Sequence, residues 1–297
     1  MPSEAHEGVV AMLRANAGSP TGEGTFESSR ENLDATGALF SVAADVHVLA
    51  GTIAGVLCER LVPGGLGSDA PRTRVLYLHG GSYTAGSLAS HRSFASRIAA
   101  GCSAEVVTAH YGLAPEHPYP EGINDAQAVY LALLAESGPD DLFLLMGDSA
   151  GGGLSAGLLV RLRDEGTKMP DGAVLFSPWL DLTLSGPSIT ELADADPMLT
   201  AKALAESAAA YAGTQLKLGE TSPLFADLTG FPPILLFAGT AEILLDDSRV
   251  FAERLRAAGI PFELVVGEGL IHVWPFVDGL PESTEALAKV ADWVSRR

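Results

Sequence analysis

The chain has 297 residues, 47% of them hydrophobic, which is enough to bury one large core or two modest ones. The 37 Asp and Glu against 18 Lys and Arg give a net charge of -19, so the average surface repels nucleic acid and anionic lipid. Two cysteines, Cys58 and Cys102, are too few for a disulfide scaffold or a recurrent zinc motif, so no metal site is expected.

No stretch approaches the roughly 20 apolar residues that cross a bilayer, and the N-terminus lacks the basic stretch and apolar core of a signal peptide. The sequence therefore predicts a cytoplasmic protein that does not bind membranes.

Residues 1–44 are rich in Gly, Ser, Ala and Glu and predict a small helical segment. From residue 45 onward, short apolar runs alternate with amphipathic stretches, the pattern of a mostly parallel sheet covered on both faces. The strands are predicted at 74–78, 104–109, 142–146, 173–176, 234–238 and 262–266. Helical periodicity fits 93–100, 123–136, 150–164, 246–258 and 283–295.

The interval 188–230 interrupts this alternation with an Ala-rich helix at 201–212. We expect this interval to join residues 1–44 in a helical cap over a catalytic domain formed by residues 45–297.

A nucleophile motif follows the strand at 142–146. The pentapeptide from Gly147 to Gly151 has the form G-x-S-x-G and leads directly into a helical pattern. In a nucleophile elbow, the serine occupies a strained turn and the two glycines avoid clashes with the neighbouring strand and helix. The alternative is a glycine-rich helix start that Ser149 merely caps. The strand, turn and helix order favours Ser149 as a nucleophile, with Asp148 as a structural hydrogen-bonding residue.

A second loop with chemical potential begins at His79, directly after the strand at 74–78. Adjacent glycines let backbone N–H groups approach the carbonyl oxygen that becomes negative during acyl transfer. We assign Gly80, Gly81 and Ala150, the residue after the nucleophile, as the donors of an oxyanion hole. An ordinary turn is the alternative for this loop, but both motifs lie at carboxyl ends of strands, where open α/β sheets bind ligands.

The serine also needs a base and an acid, in the chain order serine, carboxylate, histidine. Of seven histidines, only His272 follows Ser149. Glu242 follows the strand at 234–238 and is the predicted acid. Asp246, Asp196 and Asp181 are the alternatives: Asp246 is placed to cap the next helix, and no strand precedes Asp196.

Together these motifs resemble the bacterial hormone-sensitive-lipase family of esterases. The stretch from Tyr111 to Pro120, which contains Leu-Ala-Pro-Glu-His-Pro, adds a long and distinctive match. The resemblance implies an α/β-hydrolase fold with an eight-stranded sheet, a helical cap and hydrolysis of short to medium acyl esters without a cofactor. Three positions depart from the family pattern: Gly112 replaces the usual arginine, Ser82 a common third glycine, and Glu242 the usual aspartate.

The sequence thus predicts a serine carboxylesterase acting on neutral short-chain esters, including lactones. An amidase or peptidase on the same fold and a non-catalytic binding protein are the alternatives, although retention of His272 argues against the latter. Family members often dimerise through the last strand, so the strand at 262–266, which starts at Phe262, is a candidate for the contact edge of a homodimer.

Overall fold

An eight-stranded sheet forms the centre of the computed structural model, which describes residues 1–16, 25–66 and 72–297. The strands are β1 Val46–Ile53, β2 Val56–Pro63, β3 Thr73–Leu78, β4 Glu105–Ala109, β5 Leu142–Asp148, β6 Gly172–Phe176, β7 Ile234–Gly239 and β8 Phe262–Gly267. Their order in the sheet is β1-β2-β4-β3-β5-β6-β7-β8. Strand β2 runs antiparallel to both of its neighbours, whereas β4, β3 and β5 to β8 are mutually parallel. The mostly parallel eight-stranded sheet is therefore confirmed.

Helices cover both faces of this sheet. The helices are α1 Glu4–Asn16, α2 Phe26–Gly37, α3 Leu88–Cys102, α4 Glu121–Glu136, α5 Ser149–Asp164, α6 Ser188–Glu191, α7 Ala201–Ala212, α8 Leu245–Ala257 and α9 Pro281–Ser295. In β3, Leu76 and Leu78 face a core lined by α4, α5 and α8, whereas Val75 and Tyr77 face a core lined by α3 and α9. Because both faces are buried, the sequence of this strand is a nearly continuous apolar run.

Strands β1 and β2 were implied by the family resemblance but not predicted from periodicity. They form a hairpin whose turn residues, Ala54 and Gly55, both have positive φ, at 50° and 90°. Such turns normally carry Asn-Gly or Asp-Gly, so an Ala-Gly turn gives a weak sequence signal. Strand β1 is also an edge strand with mostly exposed side chains, which hides its alternation.

Helix α3 begins at Leu88, five residues before the predicted start. Ser87 and Ser90 form a reciprocal capping box, in which each side chain binds the other residue's backbone N–H. Glutamate or glutamine is usual at the position of Ser90, so the first turn did not stand out in the sequence.

The N-terminal segment contains the helices α1 and α2; residues 17–24 lie outside the described residues. Helix α2 packs closely on α3: the two helices are so near that a Cβ atom on Gly37 would lie 2.4 Å from the carbonyl oxygen of Ser90. Helix α7 places Tyr211 against Tyr83, with ring centroids 3.9 Å apart. Over the described ranges, no helix is long and apolar enough to span a membrane.

Candidate active site

Ser149 stands at a sharp junction between β5 and α5. Its φ is +51°, a left-handed conformation that is costly for a residue with a side chain. A Cβ on Gly147 would lie 2.4 Å from the carbonyl oxygen of Gly151, and one on Gly151 would lie 2.1 Å from that of Leu78. Both positions therefore require glycine, because any side chain would clash with the neighbouring backbone, as expected for a nucleophile elbow.

The structure brings Ser149, His272 and Glu242 together from three distant parts of the chain. The Ser149 Oγ lies 2.9 Å from His272 Nε2, and His272 Nδ1 lies 2.7 Å from Glu242 Oε2. The other carboxylate oxygen of Glu242 accepts the backbone N–H of Gly239 at 3.0 Å. All three side chains are buried. The longer glutamate side chain therefore reaches the imidazole from the end of β7 without loss of contact.

The environment of His272 favours its protonated form. Burial disfavours the imidazolium, but the hydrogen bond and charge of Glu242 outweigh it, and the charges of Asp196 and Asp148 add to the effect, so the pKa of His272 is raised above its usual value. A histidine that gains stability as a cation is suited to accept a proton from a serine hydroxyl.

The three rival carboxylates are used elsewhere. Asp196 accepts the backbone N–H groups of Met198 and Leu199 and, at 2.9 Å, that of Ile243. Asp246 accepts the N–H of the first residue of α6, and Asp181 accepts two hydroxyl and two N–H groups in the loop that follows it. Of the four candidates, only Glu242 hydrogen bonds to the imidazole.

The assignment of Gly80 as an oxyanion donor is wrong. Its N–H donates to Asp148 Oδ1 at 2.9 Å and is therefore already engaged. A Cβ on Gly80 would lie 2.2 Å from Asp148 Oδ2, so glycine at this position allows the two segments to pack closely. Gly80 does allow a close approach to the backbone, as its residue type predicts. The group that approaches is the Asp148 carboxylate and not a substrate oxygen.

Three other N–H groups in these loops have no hydrogen-bond acceptor among the described residues: those of Gly81, Ser82 and Ala150. Ala150 lies in the first turn of α5, where N–H groups lack intrahelical partners and the helix dipole favours negative charge. Gly81 and Ala150 thus keep the N–H groups that the sequence analysis required of them, and Ser82 replaces Gly80 as the third candidate donor.

Asp148 connects the nucleophile turn to the oxyanion loop, which comprises residues 79–86. Its carboxylate accepts hydrogen bonds from the Tyr77 hydroxyl and the Gly80 N–H and lies 3.4 Å from His91 Nε2. Burial opposes ionisation of Asp148, but His91, Tyr77 and Gly80 together hold its pKa below the usual range. Asp148 is therefore structural, as predicted, and its contacts reach well beyond its own turn.

Comparisons with known proteins identify the family of this chain. A family profile described as alpha/beta hydrolase fold matches residues 75–276, more than half of the chain. A crystal structure of an esterase from the bacterial hormone-sensitive lipase family is 35% identical and covers 100% of this chain and 99% of its own, with a TM-score of 0.92. The chain belongs to this family. It is also 34% identical to an esterase of Acinetobacter venetianus, over 90% of this chain and 88% of the relative. An acetyl-hydrolase of Streptomyces hygroscopicus is 40% identical, over 72% of each chain.

Two departures from the pattern of the hormone-sensitive-lipase family have a structural reading. Ser82 adopts a φ of +55°, the left-handed region that favours glycine, so serine fits at a cost in backbone strain and keeps its N–H. At Gly112, a Cβ would lie 2.9 Å from that of His117, while the Gly112 N–H donates to Asp125 at 2.9 Å. A larger residue at position 112 would require His117 to move.

Several residues that position this site were not predicted from the sequence. Arg30 of α2 binds the oxyanion loop, His91 of α3 contacts Asp148, and His6 of α1 contacts the loop before His272. None of them belongs to a local motif. Their partners lie 54, 57 and 265 positions away in the sequence, so no spacing rule points to them.

Proposed function

We propose that this protein is a serine carboxylesterase that hydrolyses neutral, short-chain carboxylic esters through an acyl-enzyme. The observation that carries the proposal is the continuous hydrogen-bonded chain from Ser149 through His272 to Glu242. Beside it lie the N–H groups of Gly81 and Ala150, for which the described part of the chain offers no acceptor. The names of relatives in the same family, esterase and acetyl-hydrolase, support the same reaction class.

The reaction proceeds in two halves. His272 Nε2 takes the Ser149 proton as the Oγ attacks the ester carbonyl, and the N–H groups of Gly81, Ser82 and Ala150 stabilise the oxyanion. The His272 cation, stabilised by Glu242, then donates its proton to the leaving alcohol. A water molecule, deprotonated by His272, attacks the acyl-enzyme, and the acid leaves when Ser149 regains its proton.

The neutral ester class follows from charge. A chain with a net charge of -19 repels anionic substrates, which disfavours esters that carry a carboxylate or phosphate. We also propose that α1, α2 and the interval 188–230 form the cap: α2 and α7 both contact the oxyanion loop, α2 through Arg30 and α7 through Tyr211.

A fluorophosphonate probe tests the nucleophile. We expect stoichiometric labelling that peptide mapping assigns to Ser149, and no labelling of S149A. The turnover of p-nitrophenyl acetate is expected to exceed that of a long-chain ester, and turnover of an ester to exceed that of the matching anilide. Labelling of another residue, or a preference for the anilide, would contradict the proposal.

We further propose that two copies pair through β8. Within the described chain this strand pairs with β7 alone and ends the sheet, so its outer backbone groups are unpaired by neighbouring strands. Light scattering at micromolar concentration tests this, and a monomeric mass would contradict it.

A cytoplasmic location stays a prediction of the sequence, which cell fractionation would check.

A further inference from the structure

The loop that carries His272 holds a strained backbone. Val273, the next residue, has φ +49° and ψ 43°, a left-handed conformation that is unfavourable for a β-branched side chain. Such conformations persist only where surrounding contacts determine them. The Val273 N–H donates to Ser177 Oγ at 3.1 Å, which holds the loop on the C-terminal side of the histidine.

On the N-terminal side, the contact comes from the beginning of the chain. The Ile271 N–H donates to His6 Nε2 at 3.3 Å, and both residues are 1% exposed. No other acceptor for this N–H is present among the described residues. A buried N–H without a partner destabilises the folded state, so His6 has a direct effect on the residue that precedes His272.

His6 is itself held in place. The backbone N–H and the hydroxyl of Ser3 donate to the Glu282 carboxylate at the start of α9, at 2.6 and 3.0 Å. Pro2 packs on Gly269, where a Cβ would lie 2.8 Å from the proline ring. These contacts hold the residues just before α1, the helix whose first turn carries His6, against α9 and against the loop that precedes His272.

We propose that His6 is a positioning residue for ester hydrolysis: by accepting the Ile271 N–H it holds the His272 loop in the geometry that joins Ser149 to Glu242. This inference rests on the proposed esterase function. In this proposal α1 does more than cover the site, because it sets the position of the base His272.

The chemistry of His6 suits a permanent contact. Its Nε2 accepts a hydrogen bond only in the neutral form, with the proton on Nδ1. Burial lowers the pKa of His6, although Glu282 of α9 and Glu7 of its own helix act in the opposite direction, and the segment 269–271 carries no charge. Because the pKa of His272 is raised, His272 protonates before His6 as the pH falls. The acceptor is thus present throughout the pH range in which His272 can act as a base.

Two substitutions separate this role from simple packing. H6L keeps a bulky side chain without an acceptor, whereas H6Q places an amide oxygen near the position of Nε2 and does not titrate. For H6L, we expect kcat on p-nitrophenyl acetate to fall about tenfold with KM within about twofold of wild type. The acid limb of kcat/KM is expected to move to lower pH, because a looser loop weakens the Glu242 contact that raises the pKa of His272. H6Q is expected to restore kcat and the position of the acid limb.

The exposed His47 of β1 provides a matched control, and H47A is expected to behave as wild type. The proposal is overturned if folded H6L matches wild type in kcat and acid limb, or if H6Q falls as far as H6L. If H6L fails to fold, E282Q replaces it: loss of the anchoring charge for Ser3 is expected to shift both quantities in the same direction, and no shift overturns the proposal. Absence of fluorophosphonate labelling in the wild type would instead defeat the esterase assignment.

Discussion

Glu242 uses both of its carboxylate oxygens, one for His272 and one for the Gly239 N–H. These two contacts fix the direction of the carboxylate, and the second ties it to the end of β7. An aspartate at this position is shorter by one methylene and cannot keep both contacts without movement of the backbone. The geometry of the site therefore fits glutamate rather than aspartate at this position.

This leads to a prediction for two substitutions. E242D is expected to lower kcat about a hundredfold, because the carboxylate withdraws from the imidazole by roughly an ångström. E242Q is expected to cost on the order of a thousandfold or more, because an amide cannot stabilise the imidazolium. Steady-state kinetics with p-nitrophenyl acetate would measure both. Equal activity of E242D and wild type would show that the reach of the glutamate is not needed.

Asp247, at the start of α8, is a second buried carboxylate near this site. One of its oxygens accepts the backbone N–H groups of Leu180 and Asp181 at 2.6 and 2.9 Å. The pKa of Asp247 is raised to about 8: burial is the largest cause, the charges of Asp181 and Glu242 act in the same direction, and the two N–H groups oppose the shift. The usual carboxyl pKa is about 3.9. Between these values, the folded state holds a proton that the unfolded state has released.

The stability of the protein consequently depends on pH with a definite sign. Stabilisation from protonated Asp247 is complete below about pH 4 and is lost as the pH rises toward about 8. Asparagine presents one carbonyl oxygen to the same two N–H groups and does not titrate. We expect the free energy of unfolding of wild type to decline relative to that of D247N across this interval, as measured by urea unfolding. The same substitution at the exposed Asp140 is the control, and parallel pH profiles for wild type and D247N would contradict the prediction.

The oxyanion loop is held from two sides, by the nucleophile turn and by the N-terminal segment. Asp148, the last residue of β5, accepts the N–H of Gly80, and Arg30 of α2 donates to the carbonyl oxygens of Thr84 and Ala114 at 2.8 and 2.9 Å. Arg30 also forms a two-pronged ion pair with Glu116. One guanidinium therefore joins α2, the oxyanion loop and the distinctive Leu-Ala-Pro-Glu stretch.

Replacing Arg30 tests whether this junction orders the loop. R30M keeps much of the side chain's length but loses its donors, and we expect kcat to fall about tenfold as the N–H groups of Gly81 and Ser82 lose their alignment. The loss of charged hydrogen bonds is expected to cost about 1–2 kcal/mol in the free energy of unfolding. R249M, which removes an exposed arginine of α8, is the control. An unchanged kcat in a destabilised R30M would show that the contact serves the fold alone.

The elements of this fold differ in how well they could be predicted from the sequence. Strand β5, the elbow and α5 were predictable because each carries a local signal: a buried apolar run, two glycines that the turn requires and helical periodicity. His272 was found because it alone follows the serine. The β1–β2 hairpin lacked a turn signal, and Gly80 was misassigned because a glycine shows where the backbone approaches something but not what it approaches. His6 and Arg30 act through contacts that only the folded chain creates.

The surface of the whole molecule carries far more negative than positive charge. With 37 acidic against 18 Lys and Arg residues, exposed carboxylates repel one another across the folded protein, and this repulsion is relieved when the chain unfolds and expands. The contact between His272 and Glu242, which becomes an ion pair when His272 is protonated, differs because both side chains are buried and mobile ions screen it much less. Salt therefore acts differently on the surface and on the catalytic site.

We expect the midpoint of thermal unfolding to rise as sodium chloride is increased from roughly 0.01 M to roughly 1 M, which shortens the screening length from about 30 Å to about 3 Å. Over the same range, the acid limb of kcat/KM is expected to stay nearly constant, because the Glu242 contact that raises the pKa of His272 is buried. Calorimetry and pH-rate profiles at the two salt concentrations would measure the two quantities. A falling midpoint would mean that attractive surface pairs such as Arg60 with Glu136 outweigh the net repulsion, and a moving acid limb would mean that solvent reaches the pair of His272 and Glu242.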